Sequence, residues 1–561
     1  MGGLTNVDVG YQPGKSELNN VITFLERHRR SIPERVALQW VQAPEVWRKD
    51  PSSALSHEGL SYGELVDRVE AAAAGLRELG LNSGDRVFIF VPMSPALYVA
   101  MFAAQRLGAI AVFLDSWARR DQLGLCAHQV APQGFIGPEA AFAVTSGVAE
   151  LEHVAIRVVV GPHTGAYSAT LEELGASRGS CPVQPVEQEH TALVTFTTGS
   201  SGPPKGANRT HRFLAAQHRV LDRCLPYLAS DIDLPVFPIF SLNNIAGGVT
   251  TVLPAVDLAR PDPGDGALLA AQIRATHATC CTLSPSLLRG VSEVAGQPGA
   301  QLDGLRRIAT GGAPISPDDV ATLKTAAPNA ELHILYGSTE VEPIAHRVAS
   351  DMMNDSGEGV CVGKIAEELE FRFLRLQRGP IELGADGWTE WEVPRGSPGE
   401  LAVSGEHVCR DYYNNPEAFR AAKVLDSAGQ AWHRTGDICY LDGSGRLWLA
   451  GRVHNAICRR GRILLPVTPE IIMKRLPFVE AAAYVGLPDA ELGERAVAAF
   501  AVRAGSAPLN FAAEIQRALS AAGIVVDDVV QVDSIPLDPR HHSKVEYAVL
   551  RERLLARKSE S

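Results

Sequence analysis

From residue 60 onward the sequence alternates between helix-period and strand-like segments, and that rhythm constrains the fold more than any other feature. SYGELVDRVEAAAAGLRELG repeats its apolar residues at helical spacing and stops at Gly80, a glycine placed to cap a C-terminus. DRVFIFVPM then reads as a short strand, PALYVAMFAAQRLGA as a helix and AIAVFLD as another strand. Strand, helix and strand in that order predict βαβ units on parallel sheets, an α/β fold. The rhythm returns at TALVTFTTG, PVFPIF, RRIATGG and ELHILYGSTE, each an apolar run that ends in small or polar residues. Open α/β sheets bind ligands beyond the carboxyl ends of their strands, so these polar ends are expected to build one shared site.

After about residue 358 the pattern changes. GELAVSGEHVCRDYYNN and QAWHRTGDICYLDGSGRLWLAGR read as short strands with Gly-rich turns, expected to form a β subdomain. The last part of the chain reads as a mixed α/β unit, with strands at AAAYVGLP and RAVAAFAVRA and helices at FAAEIQRALSAAG and EYAVLRERLLARK. The expected architecture is a large N-terminal α/β region of parallel sheets plus a β subdomain, residues 1–452, and a small mobile C-terminal α/β domain, residues 453–561.

Composition narrows the function classes. A chain of 561 residues has room for three to five folding units, taking about 100–200 residues for each. The net charge of −12 argues against a nucleic-acid partner, whose phosphates favour a basic face. The nine cysteines show no CxxC spacing, which reads as reduced thiols in a cytoplasmic protein rather than a disulfide framework or a zinc site. The first residues lack the apolar core of a signal peptide, and no apolar run has the roughly 18 residues that a membrane span needs.

One stretch has no core-forming use. VTFTTGSSGPPKGANRTH is dominated by Thr, Ser and Gly, and it directly follows a strand-like run. Glycines let backbone N–H groups approach an anion closely, hydroxyls add donors, and a lysine adds a point charge. Thr197, Thr198, Gly199, Ser200, Ser201, Gly202 and Lys205 therefore compose a candidate phosphate cradle. It is not a P-loop of the GxxxxGK[ST] type, because Gly206 follows the lysine. A Gly/Ser run alone reads as a flexible surface loop, but the prolines before Lys205 fix φ and oppose that reading.

TTGSSGPPKG closely resembles the signature loop of the adenylate-forming superfamily, which contains acyl-CoA synthetases, luciferases and peptide-synthetase adenylation domains. Further motifs follow in the family's order. GGAP, Gly311, Gly312, Ala313 and Pro314, resembles the segment that packs against adenine. YGSTE resembles the family's Y-G-x-T-E: the resemblance implies that Tyr336 stacks on adenine, with Gly337 and Ser338 beside it. It also implies that Thr339 binds phosphate and that Glu340 holds Mg²⁺. TGD implies that Asp437 binds the ribose hydroxyls, and the following GR implies an Arg452 contact to ribose and phosphate. PRHHSK resembles the C-terminal motif whose lysine, here Lys544, enters the site for adenylation. Taken singly, Asp437 reads as a turn cap, Glu340 as a surface carboxylate and Tyr336 as core. Five motifs in order across almost the whole chain outweigh those readings.

The resemblance implies an ATP- and Mg²⁺-dependent enzyme, with residues 1–452 holding ATP and the acid. Its carboxylic acid substrate attacks the α-phosphate, pyrophosphate leaves, and the acyl group passes to a thiol, either CoA or an acyl carrier protein. Positive charge and pre-placed donors serve such a transition state without covalent help. Three departures bear on the thiol step. His454 and Asn455 stand where many relatives carry the hinge Asp or Lys, Thr468 replaces a usual glutamate with Glu470 two positions on, and Ser543 replaces the glycine before Lys544. WHRTGD, the RHHSKV ending and LPVFPIF followed by GVTTVLP are similar to fatty-acid-type ligases and also to β-lactone synthetases of olefin biosynthesis. In the latter the hydroxyl of a 3-hydroxy acid attacks its own acyl-AMP, helped by high effective concentration. FSLNNIAGGV carries no basic residue, has Ser241 where a His is often found, and has small residues at Ala246, Gly247 and Gly248. That segment leads us to expect a medium- or long-chain fatty acid, with or without a hydroxyl group.

Overall fold

The computed structural model describes residues 19–114, 120–176, 179–197, 203–258, 260–355, 357–507, 510–537 and 545–560. Three sheets organise the described residues. The first has seven strands in the order Ala169–Thr170, Ile156–Val160, Gly134–Pro138, Arg86–Ile89, Ile110–Phe113, Thr191–Thr197 and Lys205–Thr210. Its pairs are parallel except the last, where Thr191–Thr197 and Lys205–Thr210 form an antiparallel hairpin. The helix Tyr62–Glu78 starts at a capping box in which Ser61 and Glu64 satisfy each other's backbone N–H groups. Its Tyr62, Leu65, Val66 and Val69 are fully buried against the helix Pro95–Arg106 and the sheet.

The second sheet has fourteen strands. One half runs parallel from Thr250–Val252 through Ile232–Pro235, Cys280–Leu283 and Arg307–Gly311 to Glu331–Ser338. There the chain turns back at once, pairing Ser338 with Val341, and everything beyond is antiparallel. The strands expected to form a β subdomain, among them Val360–Ile365, Ala431–Leu441 and Leu447–Arg452, are antiparallel and are joined to this sheet, where Ala345 of Val341–Val348 pairs with Ile365. A short reversal needs no crossover, so the next strand pairs antiparallel where a βαβ connection would have added a parallel one.

The third sheet has five strands, including Ile457–Arg459, Val479–Asp489 and Gly493–Val502. The helices Val467–Lys474 and Phe511–Ala521 cover one face around Met473, Tyr484 and Phe500. The helix Tyr547–Glu560 covers the other through Leu550 and Leu554. PVFPIF departs from its strand reading. The strand stops at Pro235 and Pro238 opens the helix Pro238–Ala246, at the helical position where a missing N–H costs nothing. Among the described residues no helix is long and apolar enough to cross a membrane.

Candidate active site

The candidate residues gather where strands of the second sheet end beside the hairpin of the first. Gly311 closes its strand opposite Leu335, and a Cβ there would lie 2.6 Å from the Leu335 carbonyl oxygen, so only glycine permits this spacing. Gly312 follows with φ +84°, which puts Ala313 and the exposed Pro314 at the strand's rim. The neighbouring strand carries Tyr336, then a bulge at Gly337, where a Cβ would meet the Val341 carbonyl at 2.8 Å. Ser338 Oγ is buried without a hydrogen-bond partner among the described residues. An orphan hydroxyl beside a glycine-only backbone suits a polar ligand group.

Two networks converge there. In the first, the Tyr336 hydroxyl donates to Asp437 Oδ2 at 2.6 Å. Asp437 pairs in register with Arg452 on the adjacent strand, and its Oδ1 lies 3.3 Å from Arg452 Nε. Burial and then the Asp437 charge hold the Tyr336 phenol well above its ordinary pKa, so it stays a donor. In the second, Tyr412 donates to Glu340 Oε1 at 2.7 Å, and the Cys409 N–H donates to the Glu340 carbonyl at 2.7 Å. The Lys205 ammonium lies 5.9 Å from the centre of the Tyr412 ring, and the Lys423 ammonium lies 5.3 Å from it. Arg209 Nη2 donates to the Thr339 carbonyl at 2.8 Å. Burial opposes charge on Glu340, yet His433, Lys423 and the Tyr412 hydroxyl bring its pKa down to about 2. A carboxylate kept ionised in this way is a hard oxygen donor of the kind Mg²⁺ takes.

Thr339, Glu340, Tyr336, Gly337, Ser338, Lys205, Gly311, Asp437 and Arg452 are thus brought together. Thr198, Gly199, Ser200, Ser201, Gly202 and Lys544 lie outside the described residues, and of Thr197 only the backbone, at the end of its strand, is described. Tyr412, Lys423, His433 and Arg209 were not singled out from the sequence, although WHRTGD and CRDYYNN were both in view. Isolated Tyr, Lys and His residues carry no spacing signal, and only the fold shows that all four are almost fully buried beside Glu340 and Thr339.

The departures also find places. His454 sits in a one-turn helix, Val453–Asn455, between the last strand of the second sheet and the first of the third. Its carbonyl accepts from Arg551 Nη2 at 3.4 Å, and burial lowers its ring pKa to about 4. Glu470 is buried within the C-terminal part, where its Oε1 accepts from the Tyr484 N–H at 3.0 Å and the Tyr547 hydroxyl at 2.5 Å. It ties the last helix to its sheet.

A small apolar cavity of about 60 Å³ lies between the helices Thr23–Ser31, His211–Cys224 and Pro238–Ala246. Phe24, Leu214, Leu221, Ile239 and Leu242 line it, with Gln105, Gln217, His218 and Asn243 as polar points. Ala246 belongs to the wall, but Ser241, Gly247 and Gly248 do not. Ser241 is fully buried, and Gly248 (φ +73°) backs onto His28. His218 hydrogen-bonds Asn243 at 2.8 Å, and burial lowers its pKa, so the wall carries no cation at neutral pH.

The model of the AMP-binding enzyme family matches residues 25–413, which includes all but the last parts of this site. The chain belongs to the AMP-binding enzyme family. As an adenylate-forming, AMP-forming ligase of that family it binds ATP and AMP. This AMP-binding enzyme is 29% identical over 541 residues to an olefin beta-lactone synthetase of Stenotrophomonas maltophilia, covering 94% of this chain and 96% of that one. It is 30% identical over 551 residues to an olefin beta-lactone synthetase of Xanthomonas campestris, with the same shares covered. Its fold matches an amide bond synthetase from Marinactinospora thermotolerans with a TM-score of 0.77 over 95% of this chain and 99% of that one, at 22% identity.

Proposed function

We propose that the enzyme activates a medium- or long-chain 3-hydroxy fatty acid as its acyl-AMP and closes it to a β-lactone without a thiol. The observation that carries this reading is the similarity to two olefin beta-lactone synthetases along nearly the full length of all three chains. In the first step a carboxylate oxygen attacks the α-phosphate of ATP and pyrophosphate leaves. Lys205, the loop 197–202 and Lys544 supply cation and donors to the phosphates, with Thr339 beside them. Asp437 and Arg452 hold the ribose, and Tyr336 faces adenine across from Gly311–Pro314. Glu340 is the carboxylate that would hold Mg²⁺, which supplies charge neutralisation when bound. Residues 1–452 provide this framework, and residues 453–561 act as the mobile part that brings in Lys544. In the second step the 3-hydroxyl oxygen bonds to the acyl carbon, the acyl–phosphate oxygen bond breaks, and AMP leaves with the electron pair. The lining of the small cavity beside the site, apolar and free of cations, suits an alkyl segment better than a second carboxylate.

Transfer to CoA or a carrier protein, the majority reaction expected from the superfamily, is the competing outcome. The two separate when the enzyme is given ATP, Mg²⁺ and either a 3-hydroxy fatty acid or the same acid without the hydroxyl, in the absence of CoA. Repeated AMP release with the hydroxy acid alone supports lactone closure. One equivalent of pyrophosphate per chain with both acids, and turnover only after CoA is added, assigns the enzyme to the thiol ligases.

A further inference from the structure

The helix His211–Cys224 borders two cavities of opposite character. Leu214, Gln217, His218 and Leu221 line the apolar one of about 60 Å³, while His211, Arg212, Ala215 and Arg219 line a second one of about 140 Å³. The apolar cavity backs onto the nucleotide motifs. Its Leu221 and Ile239 pack in one cluster with Leu335, directly before Tyr336, and with Ala309, two positions before Gly311. The second cavity is polar, and Glu406, paired with Arg219 at 2.7 Å, completes it. The Val21 N–H donates to His211 Nδ1 at 3.1 Å, which places the ring proton on Nε2. That N–H is buried without a hydrogen-bond partner among the described residues, and burial lowers the ring pKa to about 3, so it is a neutral donor.

Val21 and Phe24 line both cavities. Val21 is tied down through its backbone bond to His211, which leaves the half-buried Phe24 ring as the side-chain wall. That ring meets His218 edge-on, with centres 5.2 Å apart and planes at 77°, and the Arg27 guanidinium lies 5.2 Å from its centre. The two contacts hold the ring between an apolar space and a polar one. The apolar space of about 60 Å³ is well short of the roughly 150 Å³ that takes up a benzene molecule. It holds only the last carbons of a chain, and Phe24 is what the end of that chain meets.

We propose that Phe24 sets the length of acyl chain the enzyme accepts, by closing the far end of the apolar cavity against the polar cavity beyond. This rests on the reading of the substrate as a fatty acid and adds the residue that limits it. Up to Phe24 each carbon gains apolar burial. Past it the chain enters a space walled by two arginines, a glutamate and the His211 N–H, where a methyl end displaces water from polar groups and gains nothing.

The test measures pyrophosphate release with ATP, Mg²⁺ and a series of 3-hydroxy fatty acids lengthened two carbons at a time. Hydroxylamine is present to accept the acyl group, so turnover repeats whether or not the acyl-AMP closes on its own hydroxyl. Wild-type kcat/KM should rise by up to about 4-fold per added methylene and fall beyond one length. Phe24→Ala should move that maximum to longer acids. The ratio of kcat/KM two carbons past the wild-type maximum to kcat/KM at it should rise by roughly 10-fold, two newly buried methylenes. Phe24→Leu should move the maximum by a smaller step, and Ala246→Leu, filling the same cavity from the helix Pro238–Ala246, should move it to shorter acids. Such ratios within one protein do not depend on how much of a variant is folded, and the two leucine variants carry the test if the alanine variant does not fold. In Phe24→Ala a long acid ending in a hydroxyl should outrun the plain acid of equal length, since its end reaches the His211 N–H and Glu406, whereas wild type should prefer the plain acid. A maximum that stays in place in the Phe24 variants, or a wild-type profile without one, overturns the proposal and leaves the fatty-acid reading standing. If wild type turns over no acid of the series, the fatty-acid reading falls and the proposal falls with it.

Discussion

The Tyr336 hydroxyl donates to Asp437 Oδ2 at 2.6 Å, joining residues 101 positions apart in the chain across the middle of the fourteen-stranded sheet. The bond holds the carboxylate of the TGD motif against the ring of the YGSTE motif. Two motifs that look independent in the sequence are therefore one device. Hydrogen bonds to a charged acceptor contribute about 1.5–3 kcal/mol, part of which water restores at a partly buried site. Tyr336→Phe is expected to raise the KM for ATP by roughly 3–10-fold with little change in kcat, and Asp437→Ala to raise it further. Initial rates over an ATP series check this, and a fall in kcat at unchanged KM contradicts it.

Glu340 is held at about 2 by its neighbours, so it remains ionised throughout the physiological range. The sign follows: a depressed carboxyl stabilises the fold above its unfolded pKa, and that contribution is lost only as pH falls from about 4.5 toward 2. No acid limb of activity between pH 5 and 7 should arise from it. Glu340→Gln is expected to lower kcat and raise the Mg²⁺ concentration needed for half activity, with Tyr412→Phe showing the same direction more weakly. Overlapping Mg²⁺ titrations of Glu340→Gln and wild type would remove the metal assignment.

Next to Asp437 on the same strand, Arg434 forms a buried ion pair with Glu400, Nη2 to Oε2 at 2.7 Å, with both side chains almost fully enclosed. Arg434 also donates to the carbonyls of Gln377 and Gly379. Removing one partner strands the other charge, so Arg434→Ala should destabilise the fold by about 3–5 kcal/mol. The double change Arg434→Met with Glu400→Leu should restore much of it. Thermal melts distinguish the three proteins, and a single variant as stable as wild type would contradict the buried pair.

Glu342, two residues beyond Glu340 and half-buried, gives a stability reading of its own. Its folded pKa of about 7 lies above the ordinary 4.5, so its favourable contribution, full below pH 4.5, is lost as pH rises to 7. Glu342→Gln carries no such pH dependence. It should melt together with wild type near pH 5 and above it at pH 8, by the equivalent of roughly 2–3 kcal/mol at about 1.4 kcal/mol per pKa unit. Equal melting at both pH values would mean that the carboxylate is solvated or paired.

Much of the fold was legible because its signals are local. The capping box at Ser61 and Glu64 and the apolar spacing of Leu65, Val66 and Val69 specify the helix Tyr62–Glu78 from sequence neighbours alone. The nucleotide motifs were legible for a similar reason, since glycines such as Gly311 and Gly337 mark places where another backbone comes too close for a side chain. The joining of the later strands to the large sheet was not legible, because pairing between Ala345 and Ile365 depends on a reversal at 338–341 that leaves no composition signal. The supports of Glu340 were hidden for a related reason: Tyr412, Lys423 and His433 come from separate segments and meet only when the strands align.

The central claim, activation through acyl-AMP followed by closure on the substrate's own hydroxyl, is tested most directly by following oxygen. The enzyme is given ATP, Mg²⁺ and a 3-hydroxy fatty acid whose hydroxyl carries heavy oxygen, with no thiol present, and the products are weighed by mass spectrometry. The account predicts repeated turnover to a neutral product lighter than the acid by one water. That product should retain the heavy oxygen in its ring, and AMP should carry one oxygen from the unlabelled carboxylate. Acyl-AMP that stays bound until a thiol is added, giving a thioester with the labelled hydroxyl intact, would contradict it.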